Sequence, residues 1–207
     1  VLQGVWGNGR RSIGTVVFEP VDGIESIFGD GIDTQYRGAI VVTRRALRQV
    51  SLQVIEDQAF SGVIAPSMEA GLIDAAKASG AAILLTEGFG LQRMSNTVVQ
   101  FLEDMEGRQG TIDAVLPAPL ETQRPEAIFN VPLQPGERPP SPNTSMVLAV
   151  GRDVRLTSGN SAGMLGHVIS LPKEPVSLDN GLRVPCAQVE LVTGEKIFVP
   201  LANIEGS

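Results

Sequence analysis

Thr86-Glu87-Gly88-Phe89-Gly90 is the stretch whose residue types come nearest to a ligand site. Two glycines let a backbone approach a bound group closely, Glu87 can accept a hydrogen bond or a proton, and Phe89 can cap a pocket. A helix expected to follow would add free backbone N–H groups for an anion. The stretch is not a P-loop, because no Gly-Lys-Ser or Gly-Lys-Thr follows, nor is it the Gly-x-Gly-x-x-Gly dinucleotide fingerprint. A tight strand-to-helix turn with Phe89 in the core is the plainer reading of the same residues. His167 is the only histidine, so every triad, His-paired nucleophile or His metal site would have to run through it. It falls on an expected barrel strand beside Gly166, with no partner placed next to it in sequence. Cys186 is the only cysteine and stands at a strand start, or in phase with Gln188 and Glu190. With no basic neighbour to lower its pKa, it is expected as a packed thiol rather than a nucleophile. Glu87 could pair with Asp57 or Asp113 as two carboxylates, but nothing in the spacing brings them together. Asp22, Asp30 and Asp33 lack the alternation and closing Glu of an EF-hand loop and read as a solvated acidic loop. Arg10-Arg11 reads as a solvated pair at a turn. The expectation is therefore a chain with no catalytic residue, no metal site and no cofactor.

The elements that would hold the Thr86–Gly90 stretch are a strand, a helix and a strand. Gly62-Val63-Ile64-Ala65-Pro66 is short and apolar, Ser67 is placed to cap a helix carrying Leu72, Ile73 and Ala76, and Gly80 ends that helix. Ala81-Ala82-Ile83-Leu84-Leu85-Thr86 follows with no inward/outward alternation, as expected of a strand covered on both faces. The unit is a right-handed βαβ crossover with parallel strands, and open α/β sheets place ligands at the carboxyl ends of such strands. Ahead of it, Asn8-Gly9 between apolar runs predicts a β-hairpin spanning residues 1–18. Gly38–Thr43 reads as a further buried strand. Residues 44–60 mix periods of two and of 3.6, and a helix is favoured because parallel strands need a crossover. Met94-Ser95-Asn96 opens another helix with Val98, Phe101, Leu102 and Met105 on its core face, stopped by Gly107 and Gly110. Thr111–Leu116 is expected as the last strand of this domain.

The totals exclude some functions. Aromatics make up 4% of the 207 residues and the net charge is -7, with a pI of about 4.8. Base stacking on rings and nonspecific grip on a phosphate backbone both lack the residues they need. One cysteine rules out an internal disulfide, and nothing approaches the apolar run of a membrane span. A chain that opens on Val1 inside an apparent strand reads as a fragment or processed form, and a cytoplasmic location is expected.

Eight of the fourteen prolines lie between Pro117 and Pro142, so that stretch reads as a stiff extended connector, although Ala127–Val131 is apolar enough to pair or pack. The expected division is 1–116, an α/β domain; 117–145, the connector; and 146–207, a small β-barrel. Its strands are expected at Met146–Val150, Asp153–Thr157, Met164–Leu171, Arg183–Val192 and Glu195–Leu201. The tail from Met146 holds five Lys and Arg and six Asp and Glu, leaving eleven basic and seventeen acidic residues before it.

Within the tail, Gly151, Val154, Leu156, Gly159, Gly163, Gly166 and Val168 lie in a run that resembles the KOW motif, whose family shares an SH3-like barrel. The resemblance implies inward aliphatics at Val154, Leu156 and Val168 and glycines where a tightly curled strand turns or needs room. Such barrels contact RNA or protein elsewhere. With Arg152, Arg155, Lys173, Arg183 and Lys196 against six acids, protein contact fits better than RNA. Residues 1–145 resemble a bacterial family of Chloroflexi type through Leu2–Arg10, Leu85–Gly90 and Met94. That likeness implies a lipoyl-like region upstream and a multi-domain protein, and it brings no activity. The aliphatic strands with their helices also resemble the swivelling β/β/α domains of larger enzymes, without the histidine or cysteine chemistry of those domains. The expected fold is thus an α/β layered domain with a central parallel βαβ unit, swivelling-domain-like, followed by a small all-β SH3-like barrel. The expected function is a non-catalytic interaction or assembly module that meets protein partners or other domains of its own polypeptide. The alternatives are a small-molecule or anion-binding regulatory domain using Thr86–Gly90, and an RNA-binding factor of transcription or translation.

Overall fold

The computed structural model describes residues 1–27, 31, 33–115, 124–132, 148–159, 161 and 163–206. The chain forms two compact units, Val1–Pro135 and Gly136–Ser207, each described by itself.

The first unit contains β1 (Leu2–Gln3), β2 (Trp6–Gly7), β3 (Arg11–Phe18), β4 (Ile40–Val42), α1 (Gln49–Asp57), β5 (Gly62–Met68), α2 (Ile73–Ala78), β6 (Ala82–Phe89), α3 (Asn96–Glu103), β7 (Gln109–Asp113) and β8 (Glu126–Phe129). The strands run in the order β1-β8-β7-β3-β4-β5-β6-β2. β3, β4, β5 and β6 are mutually parallel, and the other strand pairings among the described residues are antiparallel. The βαβ unit is present as expected, with Val63 opposite Ile83 and Ile64 opposite Leu84.

The burial of these strands explains why their sequences do not alternate. Val41, Val63, Ala65, Ile83 and Leu85 face a core completed by Leu52, Val54 and Ile55 of α1 and Ala76 of α2. Ile40, Val42, Ile64 and Leu84 face the opposite core, closed by Ile112 of β7, Ala127 and Phe129 of β8, and Leu102 of α3. A strand buried on both sides has no polar face to write into its sequence. Because the parallel strands stand in chain order, their right-handed crossovers put α1 and α2 on one face, and α3, which returns the chain to β7, lies on the other.

Several local expectations are corrected. Residues 1–18 do not form a hairpin. β2 pairs with β6, β3 pairs with β4 and β7, and β1 pairs with β8, so one short N-terminal segment supplies both outer strands of the eight-stranded order. Asn8-Gly9 is the link between distant strands rather than a two-residue turn. Ser67 lies inside β5, not at a helix cap, because the strand runs on past Pro66. Gly110 is in β7 and does not stop α3, which ends at Glu103. Thr86–Phe89 are strand residues of β6 rather than a loop. Thr111–Leu116 is not the final strand: Glu126–Phe129, inside the proline-rich stretch, pairs with both β7 and β1. The mixed period of 44–60 resolves into a helix at Gln49–Asp57 preceded by an arginine-rich turn. Leu116 to Gln123 and Leu133 to Val147 hold most of the expected connector and the start of the expected first barrel strand, and they lie outside the described residues.

The second unit contains β9 (Asp153–Leu156), β10 (Leu165–Ser170), β11 (Val176–Ser177), β12 (Arg183–Val184), β13 (Cys186–Leu191), β14 (Lys196–Pro200) and β15 (Ile204–Gly206). Five of them form an antiparallel sheet in the order β14-β13-β10-β9-β15, while β11 and β12 pair apart. The strand expected at Arg183–Val192 is divided at Pro185, which has no N–H to give a ladder. Leu148–Val150 are not strand. A 3-10 turn at Leu201–Asn203 leads into β15, unforeseen from sequence, which pairs with β9. The core is Val154, Leu156, Val168, Ala187, Val189, Leu191 and Val199. Among the described residues no helix is long and apolar enough to cross a membrane.

Candidate functional site

The residues singled out from sequence are not gathered into one place. Thr86 is buried in β6 and its hydroxyl donates to the Glu87 carboxylate at 3.4 Å. Gly88 has φ of 100°, a conformation that suits a residue without a side chain. Phe89 does not enter the core: it stands at the sheet edge, edge-on to Trp6 with ring centroids 5.6 Å apart. Gly90 turns the chain out of the strand with φ of 105°. Asp113 is bound to Arg11 at 3.0 Å, and Asp57 ends α1 on the surface. Asp33 accepts from the Gln35 N–H at 2.9 Å, and Asp30 lies outside the described residues. Among the described residues no group of three His, Cys, Asp or Glu side chains could hold a metal ion.

In the second unit the KOW-like positions build the fold. Val154, Leu156 and Val168 are buried. Gly151, Gly159 and Gly163 all have positive φ at turns. A Cβ on Gly166 would meet the Glu190 carbonyl oxygen at 2.9 Å, so only glycine lets β13 approach there. His167 is exposed on β10, its Nδ1 sharing a hydrogen bond of 2.8 Å with Asp153. Cys186 is buried, its thiol donating to the Val184 carbonyl at 3.4 Å, and burial pushes its pKa up, away from the reactive thiolate.

A cleft opens one residue beyond the stretch favoured from sequence. It has a volume of about 590 Å³ and is lined by Arg44, Arg45, Arg48, Arg93, Glu25 and Asn96, with Leu91, Met94 and Val99 as its apolar part. Its position follows from the fold, since Arg44–Arg48 leave the carboxyl end of β4 and Leu91–Arg93 leave the carboxyl end of β6. Both walls are fixed from beneath by buried polar groups. Glu19, buried just after β3, accepts from the Arg44 N–H at 2.6 Å and from the Ile24 N–H at 3.0 Å, which ties the arginine turn to the 3-10 turn that carries Glu25. Burial raises the Glu19 pKa, and the two backbone N–H groups with the charges of Arg45 and Arg44 oppose that rise. Thr43 donates its hydroxyl to the Arg45 carbonyl at 3.0 Å, and Leu47 N–H reaches the Ser67 carbonyl at 2.9 Å. On the other wall Ser67 Oγ lies 2.9 Å from the Gly90 carbonyl oxygen and 3.0 Å from that of Gln92, its single proton serving both. The hydroxyl expected to cap a helix thus pins the turn that presents Arg93.

Among the cleft arginines, Arg44 is partly engaged, with its guanidinium 3.2 Å from Glu103 and 4.4 Å from the centre of the Phe18 ring. Arg45 donates to the Asp22 carbonyl at 3.4 Å. All four are exposed at their turns. Ser95 caps α3 by accepting from the Val98 N–H at 3.3 Å, and Asn96 of its first turn is part of the lining. The result is a local positive surface on a unit whose sequence is otherwise acidic. Sequence reading missed it by weighing 44–60 only as helix or strand, with a helix favoured over most of it. The available signal was three arginines within five residues directly after a buried parallel strand. Arg93 carried none, because only the crossover topology brings it to Arg48.

Comparison of the chain with known protein families, with curated proteins and with solved structures finds no match.

Proposed function

We propose that the chain is a non-catalytic interaction module of a larger intracellular assembly, and that its first unit works by holding an anionic group in the Arg44–Arg93 cleft. The carrying observation is that cleft: arginines from two separate turns converge at the carboxyl ends of parallel strands, where α/β sheets usually bind ligands. In this reading the first unit is a domain of swivelling β/β/α type. Its support is the parallel strands with α1 and α2 on one face and, on the other, a core closed by α3 and by residues of the antiparallel strands β7 and β8. The second unit is a KOW/SH3-like barrel that meets protein partners or other domains of the same polypeptide. Its support is the sheet in which the last strand, after a 3-10 turn, joins the first main strand. RNA fits that unit less well, since Arg155 is paired with Glu205 at 3.5 Å and Lys196 with Glu190 at 3.8 Å.

A thermal-shift series with phosphates, nucleotides and carboxylates tests the anion site. An anion that fills the cleft raises the melting temperature by mass action. The rise should vanish in Arg48→Ala combined with Arg93→Ala and survive in Glu87→Ala. A flat response to every anion, or a rise lost in Glu87→Ala and kept in the double arginine variant, would reject the cleft as the site.

A further inference from the structure

We infer that the cleft takes a small organic phosphate monoester rather than a carboxylate or a bare inorganic anion. This rests on the anion-binding reading above and narrows it. Arg45, Arg48 and Arg93, from two turns, all line one cleft, and Arg45 also donates to the Asp22 carbonyl at 3.4 Å. A planar carboxylate has two oxygens and is satisfied by one fork, whereas a tetrahedral phosphoryl group offers several oxygen edges and about two negative charges for several forks. The turns that carry these arginines are held by Glu19, Thr43 and Ser67, so the backbone needs little ordering on binding, while the exposed arginine side chains are fixed by the ligand itself.

The rest of the lining selects the remainder of the ligand. A volume of about 590 Å³ falls within the range of roughly 300–1,000 Å³ for small-molecule sites and leaves room beside a phosphoryl group. That room is bordered by Leu91, Met94 and Val99, which suit an apolar or ring body, and by Asn96 and Glu25. Glu25 is held in place by the Ser51 hydroxyl, which donates to its Oε1 at 2.9 Å. A carboxylate there repels a second anionic end and accepts from a hydroxyl or amine. The ligand class is therefore a monophosphate carried on a hydrogen-bond-donating body, such as a sugar phosphate or nucleoside monophosphate.

Isothermal titration of the full chain with glucose 6-phosphate, AMP, orthophosphate and citrate tests this. At least one ester should bind roughly ten-fold or more tightly than orthophosphate and than citrate, the size expected of one or two added charge-assisted hydrogen bonds. Glu25→Gln should shrink the ratio of ester to orthophosphate affinity, and Arg93→Ala, at an exposed position that cannot upset the core, should weaken the ester by roughly ten-fold. Citrate binding as tightly as the esters, or orthophosphate equal to them, would overturn the phosphate-ester assignment while leaving an anion site standing. Absence of binding by all four would remove both.

Discussion

Asn8→Ala should cost the first unit on the order of 4 kcal/mol, because it strips three buried backbone groups of their partner at about 1–3 kcal/mol each. The Asn8 amide nitrogen donates to the carbonyl of Ala76 at 2.9 Å and to that of Ala81 at 2.8 Å, while its oxygen accepts from the Ile83 N–H at 3.0 Å. One side chain so ties the N-terminal segment to α2 and to the start of β6. Asn8→Asp separates this role from that of a hairpin turn. Asp-Gly turns as well as Asn-Gly does, so a turn residue would tolerate the exchange. Here the aspartate would set a charge against two carbonyl oxygens and should unfold the unit at least as readily as alanine. Urea denaturation of both variants gives the answer, and a loss under about 1 kcal/mol for Asn8→Asp would refute the buried role.

Gly7→Ala should cost a similar amount, on the order of 3 kcal/mol, by overpacking against backbone. A Cβ there would come within 2.7 Å of Cα and the carbonyl carbon of Ala114, neither of which can swing aside. Gly9→Ala is the control. With φ of 84° and nothing within 4 Å of an added Cβ, it should cost only on the order of 1 kcal/mol for the left-handed conformation. A hairpin would reverse this order, since Gly9 would then be the demanding turn position and Gly7 an ordinary strand residue. Chemical denaturation showing Gly9→Ala as the more damaging substitution would contradict the observed path of residues 1–10.

The central strands were legible because their burial is written directly into composition. Gly62–Ala65 and Ala82–Leu85 are apolar at consecutive positions, and a run so short, bounded by turn residues, fits a strand covered on both faces. α3 was legible through Ser95 and the steps from Val98 to Met105. The hairpin misled because Asn8-Gly9 satisfies a local rule, while the pairing that won is held by contacts with Ala76, Ala81 and Ile83, far away in sequence. β8 was legible in part, since Ala127–Val131 is apolar enough to be a strand, but the prolines around it left the stretch assigned to a connector, whereas Ala127 and Phe129 are core residues. The cleft escaped because its members come from three stretches of chain, at Glu25, Arg44–Arg48 and Leu91–Val99, each ordinary alone. What places them together is the parallel order of β3, β4, β5 and β6, which sets their exits side by side at one edge. The buried Glu19 and Ser67 give these turns their shape, a role that shows only once their partners are known, and Ser67 by itself reads as a helix cap.

Hydrogen–deuterium exchange on the full chain, with and without the anion that most raises its melting temperature, tests the Arg44–Arg93 cleft most directly. Slowed exchange should concentrate in residues 43–48 and 90–97, and Arg48→Ala combined with Arg93→Ala should erase it. Protection confined to residues 148–206, or protection at 43–48 and 90–97 that survives in the double variant, would contradict the cleft as the binding site.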